Sequence, residues 1–253
     1  MIQPAKPVRQ VASVARALRI VELLINEPEH ELGITQIARA LSIGKSTAHQ
    51  LVATLAAHGF LDQVETSARY RLGTRLMEGG AIAGEHVGLG PAVTPILEDL
   101  VRRVGETSSI GIMASHEIVL IHRVEAKSVL RVDLKIGTRF PLHNSAIGRV
   151  ILGAMSDQPR QQLLNALNMS QEERDAMTVT LGDVRKAGHS IVRNIPVDGI
   201  NAIAVPIFGK QGEPIAGLVI AGPSFRFEPK DFAAEAAQTA QLISNRLGSP
   251  KMA

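Results

Sequence analysis

No cysteine occurs in the 253 residues. That excludes disulfides, thiolate metal sites and thiol nucleophiles, and it suits a reducing cytoplasm. No run of 18 apolar residues occurs either, so a membrane-spanning helix is not expected. Residues 1–10 carry Lys6, Arg9, Pro4 and Pro7 without an apolar core; they read as a flexible tail rather than a secretory signal. Charge of one sign is also missing. There are 27 Lys and Arg against 24 Asp and Glu, a net charge of +3. An excess that small favours a nucleic-acid partner only if it gathers on one face. Catalytic signatures are absent as well: no G-x-S-x-G elbow, no G-x-G-x-x-G after a strand, no H-E-x-x-H. His116, His122 and His189 lack metal-ligand spacing. The chain does not read as an enzyme, and no cofactor or metal is expected.

What is present is 45% apolar residues, enough for packed cores. From Ser13, a candidate cap, Val14, Leu18, Val21 and Leu24 or Ile25 recur at helical spacing, which predicts a helix ending near Asn26 before Pro28. A second helix is expected over 35–41 with Thr35 as cap, then a break at Ser42-Ile43-Gly44, then a third helix from Lys45 to His58 stopped by Gly59. Residues 60–72 read as a β-hairpin.

Residues 34–55, ITQIARALSIGKSTAHQLVATL, carry the sharpest pattern. Ala48, Leu51, Val52 and Leu55 fall at i, i+3, i+4 and i+7, a buried face. Lys45, Ser46, Thr47, His49, Gln50 and Thr54 are left outward, with no acidic residue among them. A short helix offering donors and acceptors from its first two turns can reach base edges in a major groove, and Gln50 suits adenine. Lys45 and the helix start suit a phosphate. The hairpin puts Arg69 and Arg71, flanking Tyr70, where a wing meets the DNA backbone. The alternative is a plain helical hairpin, which has no need of an acid-free polar face. Gly44-Lys45-Ser46 resembles the end of a phosphate-binding loop, but Arg39 stands where that loop needs glycine.

Beyond the hairpin, residues 74–90 read as a helical linker despite five glycines, each costing a helix about 1 kcal/mol. An amphipathic helix is expected over 91–105. Strands are expected at 107–114, 118–124 and 129–135, helices at 144–155 and 159–166, strands at 200–207 and 215–221 around the turn 209–212, and a last helix over 229–247. Hairpins mixed with helices indicate an α+β domain rather than repeated βαβ units.

The segments SVARALRIVELL, LGITQIARALSIGKSTAHQLVATLAAHGFL, YRLGTRLMEGG, FPLHNSAIGRVILGAM and IAVPIFGKQGEPIAGLVIAGP together resemble the IclR family of bacterial transcriptional regulators, over about residues 11–248. The resemblance implies a winged helix-turn-helix DNA-binding domain (11–73), a linker helix (74–90) and a GAF-like α/β effector-binding domain (91–253). It further implies a homodimer or dimer of dimers on palindromic double-stranded operators, a small organic effector and, more often than not, repression of a catabolic operon. Family members often have arginine where Gln50 stands. Where acid-binding members carry an acidic residue, a cysteine and two serines, this chain has Val192, Ala202, Val219 and Ala221. The expected pocket, lined by these four with Ser145, Ala146, Ile147, Arg193 and Ile200, is therefore more apolar. It suits an aromatic or otherwise apolar effector, or a carboxylate held by Arg193, His143 or Asn144. The competing readings are a structural role for His143 and a surface pair of Arg193 with Asp198.

Overall fold

The computed structural model describes residues 10–87, 89–128 and 134–250. The chain divides into two compact units, 1–90 and 91–253.

The first unit opens with α1 (Ala12–Asn26), α2 (Ile34–Leu41) and α3 (Lys45–Ala57), followed by a hairpin of β1 (Leu61–Gln63) and β2 (Tyr70–Leu72) and by α4 (Thr74–Val87). Its core is Ile20, Leu24, Ile37, Ala48, Val52 and Leu61, all essentially without solvent contact. Of the residues at helical spacing in α1, Leu24 is buried together with Ile20, while Val14, Leu18 and Ile25 are exposed. The 3-4 spacing marks a helix correctly but does not say which of its apolar rows meets the core. Neither expected cap holds. Val11 precedes α1, and Gly33 precedes α2, where its N–H donates to Gln36 Oε1 at 2.9 Å.

Between α2 and α3 the chain reverses through Ser42, which takes a left-handed conformation (φ 54°, ψ 44°) while Ile43 N–H donates to Ala38 carbonyl at 3.0 Å. At the far end of α3, Gly59 (φ 74°) closes the helix: its N–H meets the Ala56 carbonyl, and Phe60 N–H meets that of Leu55. This double bond pattern satisfies carbonyls that a helix end otherwise leaves open, and it needs the positive φ that glycine adopts freely. Tyr70 is buried rather than presented to a partner, and its backbone exchanges two hydrogen bonds with Leu32, tying the hairpin to the segment before α2.

The second unit begins with a 3-10 turn at Pro91–Val93 and α5 (Thr94–Val104). Then come β3 (Thr107–Ala114), β4 (Glu117–Val124), β5 (Arg139–Pro141), α6 (Ala146–Ala154), α7 (Asp157–Ala166), α8 (Gln171–Ala187), β6 (Ser190–Arg193), β7 (Ile200–Phe208), β8 (Pro214–Pro223) and α9 (Ala233–Arg246). The six strands form one sheet in the order β5-β4-β3-β8-β7-β6, antiparallel throughout. Helix α6 lies on one face with α8 behind it, and α5 and α9 cover the other. The strand expected over 129–135 lies mostly outside the described residues. Sequence reasoning has no element over 167–199, where α8 and β6 stand.

Glycine sets how closely α6 approaches. Gly111 and Gly217 face each other across β3 and β8. A side chain at either would strike Ile147 or Ile118 at 2.8–3.0 Å. At Gly148 a Cβ would fall 1.7 Å from the Leu142 carbonyl oxygen, so only glycine lets α6 begin where it does.

Candidate functional site

Two places follow from this architecture: the outer face of α3 and a cavity between the sheet and α6.

On α3, Ala48 and Val52 are fully buried, and Leu51 and Leu55 pack partly against the same core. The helix is thereby fixed in rotation. Lys45, Ser46, His49, Gln50 and Thr54 are exposed and Thr47 is half-exposed. The Thr54 hydroxyl donates to the Gln50 carbonyl at 2.8 Å, leaving its lone pairs outward. The expected wing arginines differ from each other. Arg71 is exposed, opposite Asp62 in the strand register, and no ion-pair partner is found for it among the described residues. Arg69 instead turns back: its guanidinium meets Glu29 at 2.8 Å and Gln36 at 3.4 Å.

In the second unit a partly open cavity of about 60 Å³ lies on the sheet face under α6. Ser145, Ala146 and Ile147 border it from the start of α6; Val192, Ile200, Ala202, Val219 and Ala221 border it from the strands. Cross-strand register explains the grouping: Thr107, Ala221, Ala202 and Val192 form one row across β3, β8, β7 and β6, and Arg123, Ser109 and Val219 form the next across β4, β3 and β8. The Ser145 hydroxyl accepts from Gly148 N–H at 3.1 Å, capping α6 and keeping its own proton to donate.

Arg193 is the exception among the expected pocket residues. It is outside the lining, exposed, and paired with Glu228, whose carboxyl it holds below the ordinary carboxylate range. The surface-pair expectation was right in kind and wrong in partner, since Glu228 replaces Asp198. His143 and Asn144 are not in the lining either. The Nδ1 of His143 is buried without a hydrogen-bond partner, so a backbone-bonded structural role at that nitrogen does not hold.

Sequence reasoning missed Arg123, Thr107, Ser109, Leu120 and Phe140. Arg123 is missed for a specific reason. Strict alternation along IVLIHRVE places Leu120 and His122 on one face and Arg123 on the other. A bulge opposite Ile110 and Gly111 inserts one extra residue in β4, so Leu120 pairs with Gly111 while Arg123 pairs with Ser109. Both then face the cavity. The side chain of Arg123 is only 5% exposed, with its Nε 3.4 Å from Glu125.

No described helix is long and apolar enough to cross a membrane, and the described residues hold no cluster of three metal-ligating side chains. A helix-turn-helix with a two-stranded wing, in one chain with a sheet unit that holds a cavity, defines the class: a DNA-binding transcriptional regulator. Comparisons give the family. The IclR helix-turn-helix domain matches residues 13–65, and the C-terminal domain of the bacterial transcriptional regulator IclR matches residues 83–245. The HTH-type transcriptional regulator XynR of Escherichia coli is 30% identical over 249 residues, 95% of this chain and 98% of that protein. The acetate operon repressor of Salmonella typhimurium is 27% identical over 225 residues, 86% of this chain and 82% of its own. Among solved structures, an IclR homolog from Microbacterium hydrocarbonoxydans complexed with 4-hydroxybenzoate superposes with a TM-score of 0.79 at 22% identity, covering 93% of this chain and 99% of that one. The chain belongs to the IclR family of bacterial transcriptional regulators, which are not enzymes.

Proposed function

We propose that this regulator binds a near-palindromic operator as a homodimer, or as a dimer of dimers, and represses a catabolic operon until a small organic effector enters the cavity. Residues 11–73 form the DNA-binding domain, 74–90 the linker, 91–253 the effector domain, and 1–10 a tail. Binding genomic DNA puts the protein in the cytoplasm. One observation carries the reading: α3 buries Ala48 and Val52 and exposes an uninterrupted acid-free face of Lys45, Ser46, His49, Gln50 and Thr54, with Thr47 at its edge. Gln50 and Thr47 read bases; Lys45, Ser46 and Arg71 engage phosphates. Arg69 contributes only if it leaves Glu29.

An exposed row along α1, begun by the Val11 that precedes it, supports the dimer. Val11, Val14, Leu18, Val21 and Ile25 repeat at 3-4-3-4 spacing; four of the five are exposed and Val21 is half-buried. Such a row is a self-association seam, and two recognition helices one turn of DNA apart, about 34 Å, then meet successive major grooves. Repression is supported by the acetate operon repressor's likeness. For the effector, the 4-hydroxybenzoate bound by the Microbacterium homolog suggests an aromatic acid as first probe. A cavity of about 60 Å³ is well under the roughly 150 Å³ known to take benzene, so a ring enters only as the walls part.

Fluorescence anisotropy with promoter DNA tests the reading. Affinity should fall steeply between 50 and 200 mM salt, as phosphate neutralisation requires. Binding that is weak and indifferent to salt rejects it.

A further inference from the structure

We propose that the loop between β6 and β7, residues 194–199, is the gate of the cavity, and that the side chain of Asn194 is its latch. The gate rests on the reading of the cavity as the effector site. A space of about 60 Å³ is too small for a ring until a wall parts, and the walls are not held alike. The strand residues of the lining sit in paired ladders, and Gly148 seats the start of α6 against the Leu142 carbonyl. Ile195, Pro196 and Val197 line the cavity from neither a strand nor a helix. Apart from the cap Ser145, Leu134 is the one other described lining residue outside such an element.

These three residues form a thin cover. Ile195 and Val197 are half-buried, whereas Asn194, Pro196, Asp198 and Gly199 are exposed. No hydrogen bond from the N–H of Ile195, Val197 or Asp198 is found among the described residues, and proline has no N–H to give. The loop is fastened at its neck instead. Asn194 N–H donates to the Ile200 carbonyl at 2.8 Å, and Ser224 N–H donates to the Gly199 carbonyl at 2.7 Å. Across the neck, Gly199 N–H donates to Asn194 Oδ1 at 3.1 Å. That last bond is made by a side chain, so it can be removed without touching the strands. Both ends of the loop have positive φ, 56° at Asn194 and 76° at Gly199. A few such terminal residues can absorb a change of backbone torsion, as hinges do. Opening at these two points lifts Ile195 and Val197 off the cavity and leaves its floor, Val192 and Ala202, in register.

The absence of cysteine makes a clean test possible. Ala202→Cys puts a single thiol on the cavity floor. Ala236→Cys puts one on α9, where Ala236 has no solvent contact. Labelling of the full-length protein by methyl methanethiosulfonate, followed by intact mass, reads access to each thiol. No effector enters the measurement, so the gate can fail while the effector reading stands. Likewise, an effector that fails to bind in calorimetry leaves the labelling result intact. With the parent loop, the Ala202→Cys thiol should react more slowly than glutathione. Adding Asn194→Gly keeps the positive φ and removes the latch. Labelling should then quicken roughly threefold to tenfold, the span of one ordinary hydrogen bond. Adding Asn194→Asp keeps an acceptor for Gly199 N–H and should hold the rate within about twofold of the parent loop. The Ala236→Cys thiol should quicken in neither background. An Ala202→Cys thiol as fast as glutathione, or indifferent to Asn194→Gly, overturns the gate. Equal quickening at both thiols, or by both Asn194 variants, overturns it as well.

Discussion

The two units differ in where their candidate sites lie relative to their own cores. In the first, a small apolar core fixes the rotation of α3, and the face that matters is what the core leaves over. In the second, the face that matters is inside, between the sheet and α6, and its lining doubles as packing for the unit. Substitutions on an exposed polar face should change binding with little change in stability, because surface changes rarely exceed about 0.5 kcal/mol. Substitutions around a cavity lined by core residues should change both at once.

The largest expected effect lies in the second unit. Gly148→Ala forces a Cβ to within 1.7 Å of the Leu142 carbonyl oxygen. Backbone cannot give way as a flexible side chain can, so the start of α6 must shift and the Ser145 cap must open. A loss of about 3 kcal/mol or more is expected, read as a lower urea midpoint by circular dichroism. Gly217→Ala sharpens the point. It meets the Ile147 side chain at 2.8 Å, which can partly turn aside, so its loss should be smaller. Equal stability of Gly148→Ala and the parent would show that α6 is not seated as described.

Next in size are changes on α3. Lys45→Glu should weaken operator binding by roughly tenfold or more, since it sets a carboxylate against phosphates. Thr47→Ala and Gln50→Ala should cost about 1–3 kcal/mol each on the best operator and less on others, relaxing base preference. None should move the unfolding midpoint appreciably. If they destabilise the protein instead, the outer face is packed in solution and the contrast between the units fails.

This contrast also decides what the sequence can reveal. A surface defined by one helix has one period, so the inner positions 48, 51, 52 and 55 and the outward residues around them are visible in a single stretch. The cavity collects residues from 107 to 221 through antiparallel register, and no local period connects Thr107 to Val192. Its alanines and valines were reached only through likeness to relatives, and Arg123 was hidden by one bulged residue. Helix α8 is a different matter. Ser170 and Glu173 form a capping box, with Ser170 Oγ accepting from Glu173 N–H at 3.1 Å and Glu173 accepting from Ser170 N–H at 2.7 Å. Met177, Leu181 and Val184 follow on one face. Those signals are in the sequence and were available to periodicity alone. Strand β5, three residues long, exists only because β4 is there to pair with it.

Helix α1 gives the next prediction. Leu18 is 59% exposed, so Leu18→Glu should leave the isolated fold intact within about 0.5 kcal/mol. The same change puts a carboxylate in the 3-4 row of each of two facing copies, where like charges repel. Sedimentation should show a shift toward monomer, with operator affinity falling in step. An unchanged dimer with unchanged affinity would remove α1 from the seam.

The smallest effects separate the two wing arginines. Arg71 is exposed with Asp62 across the hairpin, whereas Arg69 spans to Glu29 and Gln36. If Arg71 meets a phosphate, Arg71→Ala should lower the slope of log affinity against log salt by about 1 and weaken all DNA sequences alike. Arg69→Ala should leave the slope nearly where it was, because that guanidinium is already spent on its own unit, and should cost no more than about 1 kcal/mol in stability, as exposed ion pairs do. Equal slope changes for the two would mean that Arg69 leaves Glu29 on the DNA. The exchange is physically cheap, since a half-exposed pair gives up little when a phosphate offers the same charge at the same distance. Glu29→Gln then becomes the deciding variant: it frees Arg69 in advance, and should raise the salt slope only if the released guanidinium reaches the backbone.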